Sequence, residues 1–419
     1  MKPADIIWDV AVIGGGPSGM MAAGRAAELG AKVILLEKNK TLGKKLLITG
    51  GGRCNVTNAE FDTRTFLSKF KKNDQFLFSA FAQYGVKESL DFFHLNKMQT
   101  KVEAEKRAFP ITDRASSVWD VLVRYMKHGK VHILYDSAVT GFMKSENNVT
   151  GVRIKGGETI QARSYIIATG GKSRPETGST GDGFAWLKKL GHTVIEPDPS
   201  LVPITIKETW VKRLQGVSLA GVKLTVFQNS VKQDSVKGKM LFTHFGISGP
   251  MVLNASKDVG ELLKYGDVTL SLDLFPTLDQ GALDRNIREM LVAYNNKKFR
   301  NSLGKLIPSA LAPLAIELSG INADAAGHRI TRDERLTFVK LLKNMPMTVT
   351  GLLGVEKAIV TSGGVALSEV DFKTMRSRLY GNLYLVGDIL NIDRPSGGYS
   401  LQLCWTTGFV AGSSALKYE

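Results

Sequence analysis

The sequence predicts an α/β fold with a parallel sheet at its centre, on three observations. A β-branched strand, residues 9–13 (DVAVI), runs through Gly14-Gly15-Gly16-Pro17-Ser18-Gly19 into an Ala-rich helix over 18–29. A second strand, 32–36 (KVILL), ends on an acid, Glu37. A late strand, 382–386 (NLYLV), closes on Gly387-Asp388.

Each part of the first unit has a physical task. Gly14 permits a tight turn, Gly16 lets backbone approach a pyrophosphate, and Gly19 lets helix and strand pack closely. The helix N-terminus offers free N–H groups and the positive end of its dipole to phosphates. Gly30 reads as the helix stop. Glu37 lies 18 residues beyond Gly19, where a carboxylate accepts hydrogen bonds from ribose hydroxyls and repels a 2′-phosphate. The unit therefore reads as a Rossmann-type dinucleotide site. By itself it does not separate FAD from NAD.

Composition bounds the rest. A chain of 419 residues predicts two or three domains. The 43% hydrophobic and 22% charged fractions are those of a globular protein. A formal charge of +16, from 55 Lys and Arg against 39 Asp and Glu, suits a polyanionic partner or a plain basic surface. The two cysteines, Cys54 and Cys404, form no CxxC and no disulfide framework, which points to a reducing, cytoplasmic setting and away from a zinc ribbon. No Ser-His-Asp triad or metal cluster stands out. The apolar start is interrupted by Asp5 and Asp9 and reads as a buried strand, not a leader. No run reaches ~18 apolar residues, so no membrane span is expected.

The late segments favour FAD. The 382–386 strand with Gly387-Asp388 is similar to the second FAD fingerprint of glutathione-reductase-like flavoproteins. A strand at 165–168 (YIIA) runs into Thr169-Gly170-Gly171, similar to that superfamily's short Ala-Thr-Gly motif. No second Gly-x-Gly-x-x-Gly follows residue 19, and 178–183 (GSTGDG) has the wrong spacing. A nicotinamide donor, NAD(P)H, is thus expected to bind transiently.

The match then becomes specific. Residues 48–58 read ITGGGRCNVTN, 242–250 read FTHFGISGP, 361–365 read TSGGV and 397–402 read GGYSLQ. Together they resemble the YhiN/BaiN family of NAD(P)/FAD-dependent oxidoreductases over essentially the whole chain. Asp388 and Ser400 stand where the family commonly shows Glu and Asn. The resemblance implies a Rossmann-like, glutathione-reductase-type FAD-binding domain, discontinuous over 1–192 and 346–419. It further implies an inserted β-rich domain over 193–275 and a small helical domain over 276–345. Strand-like patterning at 222–227 and 268–272, and helix-like spacing at 283–294 and 332–343, agree with it.

The cofactor-binding set expected on these grounds begins with Ile13, Gly14, Gly16, Pro17, Ser18, Gly19, Glu37, Lys38 and Lys45. The glycine-rich loop adds Gly51, Gly52, Arg53, Cys54 and Asn55, with Arg53 available to a phosphate or anionic substrate, an ordinary salt-bridged arginine being the competing reading. Thr169, Gly170, Gly171, Gly387 and Asp388 follow from the two short motifs. Gly397, Gly398, Tyr399, Ser400, Leu401 and Gln402 precede or open an apolar helix over 401–416, whose N–H groups would face the negative charge of reduced flavin. Cys54, Tyr399 and His244 are the candidate catalytic residues. For Cys54 and His244, packing beside the cofactor and a satisfied loop histidine are the competing readings.

The resemblance implies reduction of a carbon–carbon double bond, either in steroid-like enones or in uridine of large ribosomal RNA. Residues 38–72 carry nine Lys or Arg against two acids, including Lys38, Lys40, Lys44, Lys45, Lys69, Lys71 and Lys72. Residues 207–239 carry seven against two, including Lys212, Arg213, Lys237 and Lys239. This charge tilts the expectation towards RNA as partner. A non-catalytic RNA-binding flavoprotein is the remaining alternative.

Overall fold

The computed structural model describes residues 3–354, 356–358 and 360–416, without the side chains of Lys71, Lys72, Asp198 and Pro199. The chain forms two compact units, 1–200 with 355–419, and 201–354.

The first unit is built on five parallel strands. In sheet order they are His132–Leu134, Val33–Leu36, Ile7–Ile13, Thr159–Ile167 and Leu383–Leu385. The antiparallel strands Asn148–Ile154 and Val139–Ser145 continue from Thr159–Ile167. The central strands are buried on both faces, which is why they read as continuous apolar runs. The helix Pro17–Glu28 follows the first strand, with Gly16 as N-cap and proline at its first position, where no N–H is needed. The last helix, Tyr399–Ser414, is buried nearly all round and packs on Pro17–Glu28. It starts two residues earlier than the sequence predicts, at the left-handed turn of Gly397 and Gly398.

The second unit is a closed six-stranded antiparallel barrel with helices. Its strands are, around the barrel, Ile204–Ile206, Gly246–Ser248, Val231–Phe242, Ser218–Gln228, Val268–Asp273 and Met345–Leu352. Asn229 and Ser230, at φ 46° and 65°, make the two-residue turn of its longest hairpin. Helices Gln280–Ala293, Ala312–Ser319 and Arg332–Lys343 lie between the last two strands in sequence. Leu283, Ile287, Phe338 and Leu342 from these helices share one hydrophobic cluster with Leu224, Val226 and Leu270 of the barrel. The segments expected as separate domains, 193–275 and 276–345, thus meet in a common core from Ile204 onward, because Met345–Leu352 returns to close the barrel, while Val194–Ser200 pairs with Val360–Val365 in the first unit. Among the described residues no helix is long and apolar enough to cross a membrane.

Candidate active site

The first unit encloses a cavity of about 1180 Å³, mouth included, along the carboxyl ends of its parallel strands. The glycine turn forms one wall. A Cβ on Gly14 would fall 2.6 Å from the Ala168 carbonyl oxygen, so this position excludes side chains for packing reasons. A Cβ on Gly16 would meet no protein atom within 4 Å, and Gly16 lines the cavity. The space it would enter is ligand space.

Glu37 is buried and lines the cavity. Its Oε2 accepts from the Gly15 N–H at 2.8 Å, and its Oε1 from the Asn39 N–H at 2.8 Å and the Asn39 side-chain amide at 2.7 Å. Lys38 donates to Thr180 Oγ1 at 2.6 Å and to Asp182 Oδ2 at 2.9 Å.

Deeper in, a charged triad spans the wall. Asp388 pairs with Arg394, whose side chain is fully buried, and Lys45 lies 3.6 Å from the same carboxylate. Lys45 also donates to Ser173 Oγ at 2.5 Å. Burial works against the Asp388 charge, but Arg394 and Lys45 outweigh it and hold the carboxyl below its usual range. Burial pushes the Lys45 ammonium below its usual value despite Asp388. Arg394 Nε donates to Ser400 Oγ at 3.0 Å, tying the triad to the start of the last helix.

Ile13, Gly14, Gly16, Pro17, Ser18, Glu37, Lys38, Lys45, Thr169, Gly170, Asp388, Ser400 and Leu401 all line this cavity. Other expected contacts lie elsewhere. Gly19 sits under the turn, where a Cβ would overlap the Gly14 carbonyl oxygen. Gly51 and Gly52 are exposed, while Gly171, Gly387, Gly397 and Gly398 lie outside the lining: a Cβ would crowd the Thr361 side chain at Gly171, the Ser18 side chain at Gly387 and the Thr57 backbone at Gly398. Asn55 is outside the lining too, though its Oδ1 is buried without a hydrogen-bond partner.

Four side chains among those singled out in the sequence have partners that define their work. The Arg53 guanidinium is shared by Glu103 and Asp113, each at 2.5 Å, and stacks 4.2 Å from the Phe109 ring centroid, so carboxylates already hold it. Gln402 spends its amide inside the core: Oε1 accepts from Thr57 Oγ1, and Nε2 donates to the Gly85 carbonyl, Ser89 and Thr406. Lys44 and Lys45 line the cavity, and Lys44 donates to Asn39, so they are not the free surface cations the charge count suggests. Of the same group, the Lys71 and Lys72 side chains lie outside the described residues.

The candidate catalytic residues have different surroundings. Cys54 has no exposed surface, and burial pushes its thiol up to about 12 against a Thr49 hydrogen bond that pulls it down. Tyr399 packs into an aromatic cluster 4.8 Å from the Phe66 ring and 6.0 Å from the Phe70 ring. His244 is exposed on a loop of the second unit, edge-on to Phe245. Neither Cys54 nor Tyr399 lines the cavity. The lining includes several residues the sequence reading misses: Asn39, Thr180, Asp182, Trp186 and Cys404. The glycine-rich stretch 178–183 was the visible signal for two of them. Among the described residues no cluster of three or more His, Cys, Asp or Glu is placed to hold a metal.

The lining fits FAD. Thr169 Oγ1 is buried on the wall with no hydrogen-bond partner, which a bound polar group would satisfy. The open space at Gly16 and the helix N-terminus beside it would receive the pyrophosphate, Glu37 the adenosine ribose, and Asp388 with Lys45 the polar chain towards the flavin.

Comparison with known proteins agrees. Residues 8–414 match the HI0933-like protein Rossmann domain. A 3-dehydro-bile acid delta(4,6)-reductase of Clostridium scindens is 30% identical over 97% of this chain and 99% of its own. Ribosomal RNA dihydrouridine synthases of Haemophilus influenzae and Escherichia coli are 31% and 28% identical, over 96% and 98% of this chain and 97% and 98% of theirs. Among solved structures, 3-ketosteroid delta1-dehydrogenase from Sterolibacterium denitrificans shares the fold, with TM-score 0.57 at 13% identity over 99% of this chain and 100% of that one. From strand to last helix the match is continuous: the chain belongs to the HI0933-like (YhiN/BaiN) family and is an FAD-dependent oxidoreductase.

Proposed function

We propose that this flavoenzyme saturates a carbon–carbon double bond conjugated to a carbonyl, and that its substrate is a uridine of large ribosomal RNA. FAD, when bound, supplies the hydride. The balance is uridine plus NAD(P)H plus a proton giving dihydrouridine plus NAD(P)⁺. The hydride enters the ring carbon β to the carbonyl and the proton the α carbon. NAD(P)H, with no second glycine fingerprint to hold it, binds transiently.

The observation that carries the RNA reading is the second unit's exposed cations. Lys207, Lys212, Lys232 and Lys239 are exposed. Phosphate contact at these cations would release counterions. The two end-to-end relatives named as ribosomal RNA dihydrouridine synthases support the same reading, with which a cytoplasmic protein is consistent. The bile acid reductase, aligned equally completely, supports a second reading in which a small enone is reduced by the same chemistry.

RNA mass spectrometry of wild-type and deletion strains separates them. Loss of one dihydrouridine from the large ribosomal RNA, restored by the gene, is expected. If every dihydrouridine persists and the pure enzyme reduces a 3-oxo-4-ene steroid, the small-molecule reading replaces it.

A further inference from the structure

We propose that the segment 294–305 of the second unit is a docking surface for the phosphate backbone of RNA, an inference that rests on the RNA reading above. The segment reads YNNKKFRNSLGK, with four cations and no acid. Its fold forces the cations outward. Phe299 and Leu303 are buried anchors, and the Phe299 and Arg300 N–H groups donate to the Ala325 and Ala323 carbonyls. Lys297, Lys298, Arg300 and Lys305 are left exposed on a fixed backbone.

Little neutralises them. Asp324 is shared by Lys298, at 3.0 Å, and Arg300, at 3.1 Å. Lys297 and Lys305 lie instead against the Tyr294 ring, 4.5 and 5.5 Å from its centroid. The two ammoniums, Lys305 foremost, hold the Tyr294 hydroxyl below the usual tyrosine range. One carboxylate against four cations leaves a local excess of positive charge, which favours a polyanion. The surface is open, so a chain of phosphates suits it better than a single small anion. Asn295, Asn296 and Asn301 are exposed within it and supply neutral hydrogen bonds to phosphate and sugar oxygens.

The test uses the FAD-loaded protein, a fluorescent polyuridylate RNA of about 20 nucleotides and transcribed large ribosomal RNA, with salt as the variable. The variant carries Lys297→Gln, Lys298→Gln, Arg300→Gln and Lys305→Gln. Equal flavin absorbance and melting temperature establish that it folds. Each phosphate contact on a single strand contributes about 0.7 to the slope of log affinity against log salt, so removing four should flatten it by about 3 and weaken binding at least tenfold near 0.1 M salt. Asp324→Asn should tighten binding by releasing Lys298 and Arg300. If the wild type binds RNA and the fourfold variant matches it in affinity and slope, this surface is wrong while the RNA reading stands. If the wild type binds neither RNA, both fall. If the variant loses binding to phosphatidylserine vesicles as much as to RNA, the surface is a general anion patch and the proposal is overturned.

Discussion

Asp388 and Arg394, six residues apart, form an ion pair in which the arginine side chain has no exposed surface. Arg394 spends all three nitrogens: on Asp388, on Ser400 Oγ and on the Ile392 carbonyl. It therefore holds together two cavity-lining residues from either side of the 389–398 loop. Breaking a buried pair leaves a charge without its partner, which costs about 3–5 kcal/mol. Arg394→Met should lower stability by that amount in urea unfolding and should lose FAD. A variant as stable as wild type with full flavin content would contradict this account of the triad.

Gly16 separates fold from cofactor. Its φ of −78° is open to any residue, and no protein atom lies within 4 Å of a Cβ there. Gly16→Val should therefore fold normally, by circular dichroism and melting, yet purify largely colourless, because the valine would occupy pyrophosphate space. Retention of one FAD per chain would move the cofactor away from this wall.

What the sequence made legible was set by backbone. The glycines at 14, 16 and 19 and the acid at 37 are read by spacing, because strand, turn and helix fix that spacing. Asp388 was legible for the same reason, as the end of a strand. Side-chain partnerships were not. Nothing local in NIDRPSGG says that Arg394 turns inward to Asp388, and ITGGGRCN looks like a cofactor loop although Arg53 serves Glu103 and Asp113. Barrel closure was invisible for a further reason. Ile204–Ile206 pairs with Met345–Leu352 across the whole second unit, a contact no local periodicity records.

Glu37 tests the ribose end. Its two oxygens already accept from Gly15 and Asn39, and ribose hydroxyls would use their remaining lone pairs. Glu37→Gln keeps the shape but removes the charge and turns one acceptor into a donor facing an N–H. Hydrogen bonds to charged groups are worth about 1.5–3 kcal/mol, so apoprotein titration should show FAD binding weakened by roughly 10- to 150-fold. Unchanged affinity would place the ribose elsewhere.

The cysteines give a signed pH dependence. Burial raises both Cys54 and Cys404 from 9.0 to about 12. A thiol whose folded value is raised keeps its stabilising effect below the unfolded value, and loses it as pH climbs towards the folded one. The window is therefore about 9 to 12: the unfolded chain ionises first, and folding must reprotonate each thiol. At pH 10, one unit above the unfolded value, the loss is about 1.4 kcal/mol per cysteine. Urea midpoints between pH 8 and 10.5 should therefore fall more steeply for wild type than for a Cys54→Ser, Cys404→Ser double variant, each single variant recovering about half of the difference. The same burial predicts that neither thiol reacts with iodoacetamide in the native protein at pH 8. Parallel urea curves, or rapid native alkylation of Cys54, would show a reachable thiolate and return it to the list of groups that can act on a bound substrate.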